Sequence, residues 1–574
     1  MRLPGRVGGL ALFLLAFVPA ADAVAPAPVT STRAIVVSPH PAVTEAGVEL
    51  LRAGGNAVDA AVAAAFALAV AQPQSTGIGG GGFLLIRLAD GRAVAIDARE
   101  TAPGAATPDM YLRPGVPENA SLIGGLAVAT PGLVAGLALA QQSYGTLPLD
   151  RVLAPAIRLA AEGYPIGAYQ AAWIRQLRTS PLAQRFPETS RIQFPAGPVD
   201  ASTRLVQADL ARTLRAIAER GPRAFYEGHV AEAIAKAVRE SGGILTTEDL
   251  ARYRPVAREP LVGHFRGFEV LAFPPPSSGG VTLLETLNVL DGFDLARLGA
   301  GSSASIHRIA EAMKLAFADR AVYLGDPDFA ELPVAALLAP AYAAELRARI
   351  DPAWWRRAPW TWGRGEVAIR VSGPGLPQDD HGTAHLSVAD ASGNAIAITE
   401  TINTPYGSWV TATGTGVLLD NEMDDFATRP GQPNAFGLVG VAGANGVAPD
   451  KRPLSSMAPV IVLADGKLRF VAGSNGGPRI ISSTLLAVLN LLEFGMNASE
   501  AVAAPRVHHQ WLPDELVLEA GHPADVVDAL RARGHTVRLV ADFGTAVEAI
   551  AFDPASGVLS ASPDPRRDGA AAAP

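Results

Sequence analysis

Apolar residues recur at helical spacing from Ala42 to Ala53, where Gly54-Gly55 closes the run, and from Val58 to Ala71, which Pro73 stops. The core of that second run, Ala60 to Ala71, is too short to span a bilayer and ends at Gln72-Pro73, so it predicts a buried helix. Phe83 to Leu88 and Ala93 to Asp97 read as short strands joined by the turn Ala89-Asp90-Gly91-Arg92. Between Gly132 and Ile350 the pattern is mainly helical, most clearly at Leu149 to Gly163, Gln207 to Ala218, Val230 to Ser241 and Ser305 to Leu324. The composition changes after about residue 350. Ser372 to Asp380 has few apolar residues and no period, which predicts an exposed loop. It leads through His381-Gly382 into a strand starting at Thr383, and Ala384 to Ala389 and Ala395 to Ile402 form a hairpin across Asp390 to Asn394. Further strands are expected at Gly416 to Leu419, Pro459 to Leu463 and Leu468 to Ala472. Pro478 suits the first position of an apolar helix reaching Phe494. The tail Pro563 to Pro574 is of low complexity and reads as loose. Helices and strands cluster by type, so the pattern favours an α+β fold of stacked sheets with outer helix layers over an alternating βαβ array.

The chain opens on Arg2 and Arg6, the apolar run Leu10 to Val18 and the small residues of Ala21-Asp22-Ala23, the pattern of a secretory signal cleaved after Ala23. An uncleaved interfacial helix is the alternative. Removal of residues 1–23 would leave an exported chain, periplasmic or secreted, in which no later segment reaches the roughly 18 to 20 apolar residues of a membrane span. The 574 residues carry 47 Lys and Arg against 55 Asp and Glu, a net charge of −8, so nothing advertises a nucleic-acid or anionic-membrane surface. With 49% hydrophobic and 18% charged residues the chain can bury a sizeable core. The length allows three or more domains, or one large layered domain with insertions.

Several chemistries are excluded outright. The chain has no Cys, which removes disulfides, thiolate metal sites and a cysteine nucleophile. None of the four lysines, 236, 314, 451 and 467, precedes Ser or Thr, so there is no Walker A loop. Gly77, Gly79 and Gly82 match GxGxxG, but a helix precedes the loop and a strand follows, the reverse of a dinucleotide site. His385 and the pair His508-His509 invite a metal reading. Adjacent strand residues point to opposite faces and no third ligand sits at a zinc spacing, so no metal is expected. Asn119-Ala-Ser121 and Asn497-Ala-Ser499 fit a glycosylation acceptor, which matters only in a eukaryotic secretory pathway.

An exposed loop that delivers Gly382-Thr383 into the first position of a buried strand suits an autoproteolytic N-terminal nucleophile. Cleavage there would give Thr383 a free α-amine to accept its own hydroxyl proton. The pattern alone favours the plainer reading, that Thr383 is one more β-branched strand residue, and local spacing does not settle the matter.

Longer segments carry a resemblance. Gly80-Gly-Gly-Phe83, Asp97-Ala-Arg-Glu-Thr-Ala-Pro103, Pro274-Pro-Pro-Ser-Ser-Gly-Gly280, Gly382-Thr-Ala-His-Leu-Ser387, Asn421-Glu-Met-Asp-Asp-Phe426, Arg452-Pro-Leu-Ser-Ser-Met457 and Gly473-Ser-Asn-Gly-Gly477 resemble those of gamma-glutamyltransferase, also called glutathione hydrolase, in the family's order. The resemblance implies a four-layer αββα sandwich of the N-terminal-nucleophile hydrolase type. It also implies one precursor cut into a large chain, 24–382, and a small chain, 383–574, that stay together as a heterodimer. Thr383 would be the nucleophile and Thr401 would orient its hydroxyl. Arg99, Ser455 and Ser456 would hold a substrate α-carboxylate. Glu422, Asp425 and the side-chain oxygen of Asn403 would hold the α-ammonium, and the amides of Gly476 and Gly477 would form the oxyanion hole. The implied substrates are glutathione and other γ-glutamyl amides, with water, amino acids or dipeptides as acceptors and no cofactor. Glu422 is Gln in some bacterial relatives, and the lid-like segment Pro430 to Pro449 carries Phe436 where a Tyr is usual, so a lid hydroxyl is missing. Gly79 to Gly82 and Pro275 to Gly280 are expected to shape backbone around the site. Two other readings remain: an acylase of the cephalosporin-acylase kind using the same Thr383, and an uncut binding protein for γ-glutamyl compounds.

Overall fold

Helix α1 (Pro41–Arg52) is followed by α2 (Ala57–Ala71), which starts where Asn56 caps the amides of Val58 and Asp59 while the Asp59 carboxylate accepts from the Asn56 N–H. Every residue of α2 is buried, and its run of alanines lets it lie between α1 and a sheet. The computed structural model describes residues 27–354, 382–440 and 443–574. The expected signal segment 1–23 and the loop Ser372 to Asp380 lie outside the described residues.

Two seven-stranded sheets face each other. Their strands, in chain order, are β1 (Val29–Ser31), β2 (Ala34–Ser38), β3 (Gly81–Arg87), β4 (Ala93–Ala98), β5 (Val256–Arg258), β6 (Leu261–Phe265), β7 (Phe268–Ala272), β8 (Thr383–Asp390), β9 (Ala395–Thr401), β10 (Val460–Ala464), β11 (Lys467–Ser474), β12 (Val547–Asp553), β13 (Val558–Ser562) and β14 (Ala570–Ala572). One sheet has the order β14-β2-β8-β9-β3-β4-β5 and the other β1-β13-β12-β11-β10-β7-β6. Helices α1 and α2 cover the outer face of the first sheet. Helices α3 (Gly279–Leu290), α4 (Ser303–Tyr323) and α5 (Arg479–Leu492) lie in the layer outside the second. The expected four-layer αββα sandwich is what the chain forms.

The central strands of both sheets are covered on both faces, so they read as nearly continuous buried runs. Alternation sorts them. Ala384, Leu386 and Val388 point into the core shared with α2, whereas Thr383, His385 and Ser387 point toward the second sheet. The β8/β9 pairing sets Thr383 opposite Thr401 and His385 opposite Thr399, so the inner face of the hairpin carries a polar column into the sandwich.

The structure changes four details. Strand β3 begins at Gly81, inside the glycine loop, because its first residues pair with Thr401 and Glu400 of β9. The region from Gly132 to Ile350 contains β5, β6 and β7 among its helices. Pro478 caps α5 from outside, and the helix ends at Leu492 rather than Phe494. The tail is not loose: Ala570 to Ala572 add a strand beside β2, and the fully buried Asp564 carboxylate pairs with Arg506 and accepts the Val547 N–H.

Candidate active site

The column on β8 and β9 ends in a small pocket lined by Arg99, Thr383, Thr401, Asn403, Glu422, Asp425, Phe436, Ser455, Ser456, Met457, Gly477 and Ile480. Most of the residues singled out in the sequence meet here from seven separate segments. Gly382 lies just behind the pocket, and Gly476 stands one residue back from its wall, against Thr545.

Thr383 Oγ1 lies 3.0 Å from Thr401 Oγ1, and the Thr401 hydroxyl donates to the Gly382 carbonyl at 2.9 Å. Thr401 Oγ1 also accepts the Asn403 N–H at 2.7 Å. Since the one Thr401 proton is committed to Gly382, the Thr383 hydroxyl is the donor between the two threonines. The segment admits no larger residue at Gly382, where a Cβ would collide with the Asn403 carbonyl, and Gly80 sits equally close to the Thr401 carbonyl. That is the use of the two glycine motifs: they let backbone pass directly beside the reactive pair.

Arg99 is held from behind. Its Nε donates to the Pro453 carbonyl at 3.1 Å, and the Tyr253 hydroxyl donates to its own carbonyl at 2.8 Å. Its other two nitrogens meet Asp425 and, at 2.7 Å, Glu422, with Glu100 at 3.5 Å. Burial works to lower the guanidinium pKa, but Glu422, Asp425 and Glu100 outweigh it and hold the group firmly charged. Burial raises Glu422 and Glu100 well above the usual carboxylate range, against the pull of Arg99. Asn403 gives its amide N–H to the Asn421 carbonyl at 2.9 Å, which leaves the side-chain oxygen as its acceptor. Asp424, next along, accepts from Ser121 at 2.6 Å and from the Ala435 N–H at 2.8 Å, pinning the segment that carries Phe436; burial pushes its pKa up to about 6 despite those donors.

Gly476 and Gly477 have φ of +116° and +54°, conformations that L side chains rarely adopt, and they precede α5. Among the described residues no backbone carbonyl accepts either N–H, so both amides stand at the positive end of the helix without a partner.

Residues 43–574 match the sequence profile described as Gamma-glutamyltranspeptidase. The chain belongs to the gamma-glutamyltranspeptidase family. The glutathione hydrolase proenzyme of Escherichia coli (strain K12) is 45% identical to this family member over 543 residues, 94% of this chain and 91% of that one. An acylase ACY 1 proenzyme of Pseudomonas sp. (strain V22) is 42% identical over 552 residues, 94% of each. Among solved structures, the cephalosporin acylase from Bacillus halodurans superposes with a TM-score of 0.82 at 30% identity, covering 97% of this chain and 99% of that one. The sandwich is therefore of the N-terminal-nucleophile hydrolase type shared by transpeptidases and these acylases.

Within this transpeptidase-family fold the three histidines that invite a metal reading are structurally engaged. His385 bonds Thr399 at 2.8 Å and Ser387 at 3.0 Å, His508 bonds Ser482 and Gln510, and His509 meets Asp514. Among the described residues one group has metal-ligand types close together, His307, Glu311 and His535. There the two imidazoles bond each other at 2.7 Å and Glu311 pairs with Lys314, so each of those side chains already has a protein partner. No helix of the described residues is long and apolar enough to cross a membrane.

Sequence reasoning missed Arg320 and Ser121, and it placed Ser277, Ser278 and Asp424 in recognised segments without giving their side chains a role; all five sit directly behind the pocket or the segment that carries Phe436. For Arg320 the available signal was an arginine beside Asp319 in the otherwise apolar stretch Leu315 to Val322 of a helix.

Proposed function

We propose that this chain is an exported, self-cleaving gamma-glutamyltransferase and glutathione hydrolase. Residues 1–23 direct export to the periplasm or the medium. The bond Gly382-Thr383 is cut to give a large chain, 24–382, and a small chain, 383–574. The observation that carries this reading is the chain of hydroxyls from Thr383 through Thr401 to the Gly382 carbonyl, at the floor of a pocket holding one arginine fork beside two carboxylates.

Maturation follows from the hydrogen bonds. Thr401 polarises the Gly382 carbonyl by donating to it, and Thr383 Oγ1 attacks the carbonyl carbon. The C–N bond breaks as the amide nitrogen takes a proton, leaving Gly382 esterified to the Thr383 side chain. Water then hydrolyses that ester, releasing the Gly382 carboxylate and leaving Thr383 with a free α-amine. In turnover the amine accepts the hydroxyl proton, Oγ1 attacks the γ-carbonyl of the substrate, and the same proton passes to the departing amine. The oxyanion is met by the N–H groups of Gly476 and Gly477. Water, an amino acid or a dipeptide then takes the γ-glutamyl group from the ester.

Substrate recognition is an exchange of ion pairs. In this state Arg99 is paired with Asp425 and Glu422, and the pocket retains free space of only about 20 Å³, room for roughly one water. A γ-glutamyl head group carries both charges: its carboxylate takes Arg99 with the hydroxyls of Ser455 and Ser456, while its ammonium takes Asp425, Glu422 and the Asn403 oxygen. A ligand with only one of the two charges would strand a buried partner. Phe436, held over the pocket through Ala435 and Asp424, closes the site by bulk alone.

The test is intact mass with N-terminal sequencing of the purified protein, followed by turnover of a γ-glutamyl anilide. Two chains, the smaller beginning Thr383-Ala-His-Leu, with release of the free aniline, support the reading; one uncut, inactive chain overturns it. The acylase names of two similar proteins make a second reading concrete, hydrolysis of an acyl group without the α-ammonium. Preference for a glutaryl over a γ-glutamyl anilide would favour it.

A further inference from the structure

Arg320, on α4, is 5% exposed, and no carboxylate pairs with it among the described residues. Burial lowers its pKa to about 10, and Asp425 is the one acid that acts against this from a distance. A buried cation without a counter-ion is costly, and this one stands directly behind the substrate pocket. Its Nε donates to Ser278 Oγ at 2.8 Å and one terminal nitrogen donates to Ser456 Oγ at 3.1 Å.

The consequence lies in which way each hydroxyl points. A serine hydroxyl has one proton to give. Because Ser456 Oγ accepts from Arg320, its proton is directed away from the guanidinium, and Ser456 lines the pocket. Ser455 Oγ is set in the same way, accepting the Met457 N–H at 3.1 Å. Ser278, the other hydroxyl on Arg320, donates to the Ser455 carbonyl at 2.5 Å, and its N–H reaches the same oxygen at 2.8 Å. The Ser455 N–H returns to the Pro276 carbonyl at 2.9 Å, and Ser277 Oγ donates to the Met457 carbonyl. The segment Pro274 to Gly280 thus acts as a brace on which the serine pair is mounted.

We propose that Arg320 is a positioning and specificity residue of the γ-glutamyl site: it locks Ser456 as a donor into the pocket, and the α-carboxylate of the bound substrate supplies, through that hydroxyl, the negative charge that Arg320 lacks. This rests on the reading of Ser455 and Ser456 as carboxylate ligands. A carboxylate offers only acceptors, so a hydroxyl free to rotate would spend part of its time presenting a lone pair to it. A hydrogen bond from a charged donor also polarises the O–H it supports.

The test compares two anilides with the same leaving group on matured enzyme. These are the γ-glutamyl compound and the 4-aminobutyryl compound, which lacks only the α-carboxylate, the latter assayed as substrate or as competitive inhibitor. Arg320→Met should raise KM for the γ-glutamyl anilide by about tenfold or more, with kcat within about threefold, and leave the 4-aminobutyryl compound unaffected. Ser456→Ala should do the same, and the double variant should be little worse than either single one. Arg320→Lys, which keeps the charge but loses the fork, should mature and show a smaller KM rise confined to the γ-glutamyl anilide; it decides the matter should Arg320→Met fail to mature. Equal losses on both anilides, or effects that multiply in the double variant, overturn the assignment. If Ser456→Ala raises KM and neither Arg320 variant does, Arg320 alone is misassigned. If Ser456→Ala leaves KM unchanged, the carboxylate site itself is misassigned and this inference falls with it.

Discussion

Thr383 and Thr401 are direct cross-strand partners in the β8/β9 hairpin, with their hydroxyl oxygens 3.0 Å apart. The Thr401 hydroxyl also donates to the Gly382 carbonyl, so under the proposed mechanism one side chain would serve both maturation and turnover. Thr383→Ala is expected to leave a folded, uncut chain with γ-glutamyl turnover down by about a thousandfold or more. Thr401→Val, which keeps the shape and removes the hydroxyl, should slow cleavage and turnover together. The checks are the time course of chain separation on a denaturing gel and the anilide rate. Cleavage of Thr383→Ala at 382/383 would remove Thr383 as the nucleophile.

Arg99→Lys keeps a charge among Glu100, Glu422 and Asp425 but loses the planar fork. It should mature normally and raise the apparent KM for γ-glutamyl anilides by about ten- to a hundredfold. Arg99→Ala should weaken binding further and also destabilise the fold, because it strands the buried Glu100 and Glu422 and the half-buried Asp425. An unchanged KM in both would take Arg99 out of the substrate site.

Asp424 holds the segment that carries Phe436 while buried, and its folded pKa of about 6 lies above its ordinary 3.8. A raised acid retains its proton in the folded state, so its contribution to stability is full below about pH 3.8 and is lost as pH rises through about 6. Asp424→Asn, which has no charge to bury, should therefore gain in stability relative to the parent between pH 4 and pH 7, by on the order of 2 kcal/mol. Chemical denaturation of both proteins at the two pH values reads the difference; a gap that stays constant or shrinks would contradict the sign.

Asp564→Ala removes the carboxylate that Arg506 and Arg566 share. Leaving Arg506 buried and unpaired should cost about 3–5 kcal/mol, and limited proteolysis should clip the tail near Ala570 in the variant before it clips the parent.

Much of this architecture could be read locally. The Asp390 to Asn394 turn and the placement of Thr383 at a strand start depend on neighbours in sequence. The tail did not, because an alanine-rich strand has no signal of its own. What orders it is pairing with β2 and the Arg506–Asp564 contact, which join residues far apart in the chain. Strands β5 to β7 escaped notice for a related reason. β5 and β6 sit at sheet edges and β7 lies next to β6, with residues such as Glu269 and His264 among the apolar ones, and Pro260 and Gly263 interrupt the alternation. In the pocket, the residues that would face substrate fell within recognisable segments. Arg320 and Asp424 face other protein groups instead, and their importance is visible only when those groups are in place.

The strand order gives the proposed cut a consequence of its own. In the first sheet, strands from before residue 382 and after it interleave, β14 beside β2 and β8 beside β2 again on its other edge. In the second, β10 to β13 are flanked by β1 on one side and by β7 and β6 on the other. Neither half owns a complete sheet. An intact precursor folds as a unimolecular event, with every strand tethered to its neighbours. After the cut, the same unfolded material would have to find its partner by collision, and each half would meanwhile expose unpaired strand edges. Self-cleavage would thus make folding a step that runs once, and the working lifetime of the enzyme would be set by how slowly it unfolds rather than by how readily it refolds.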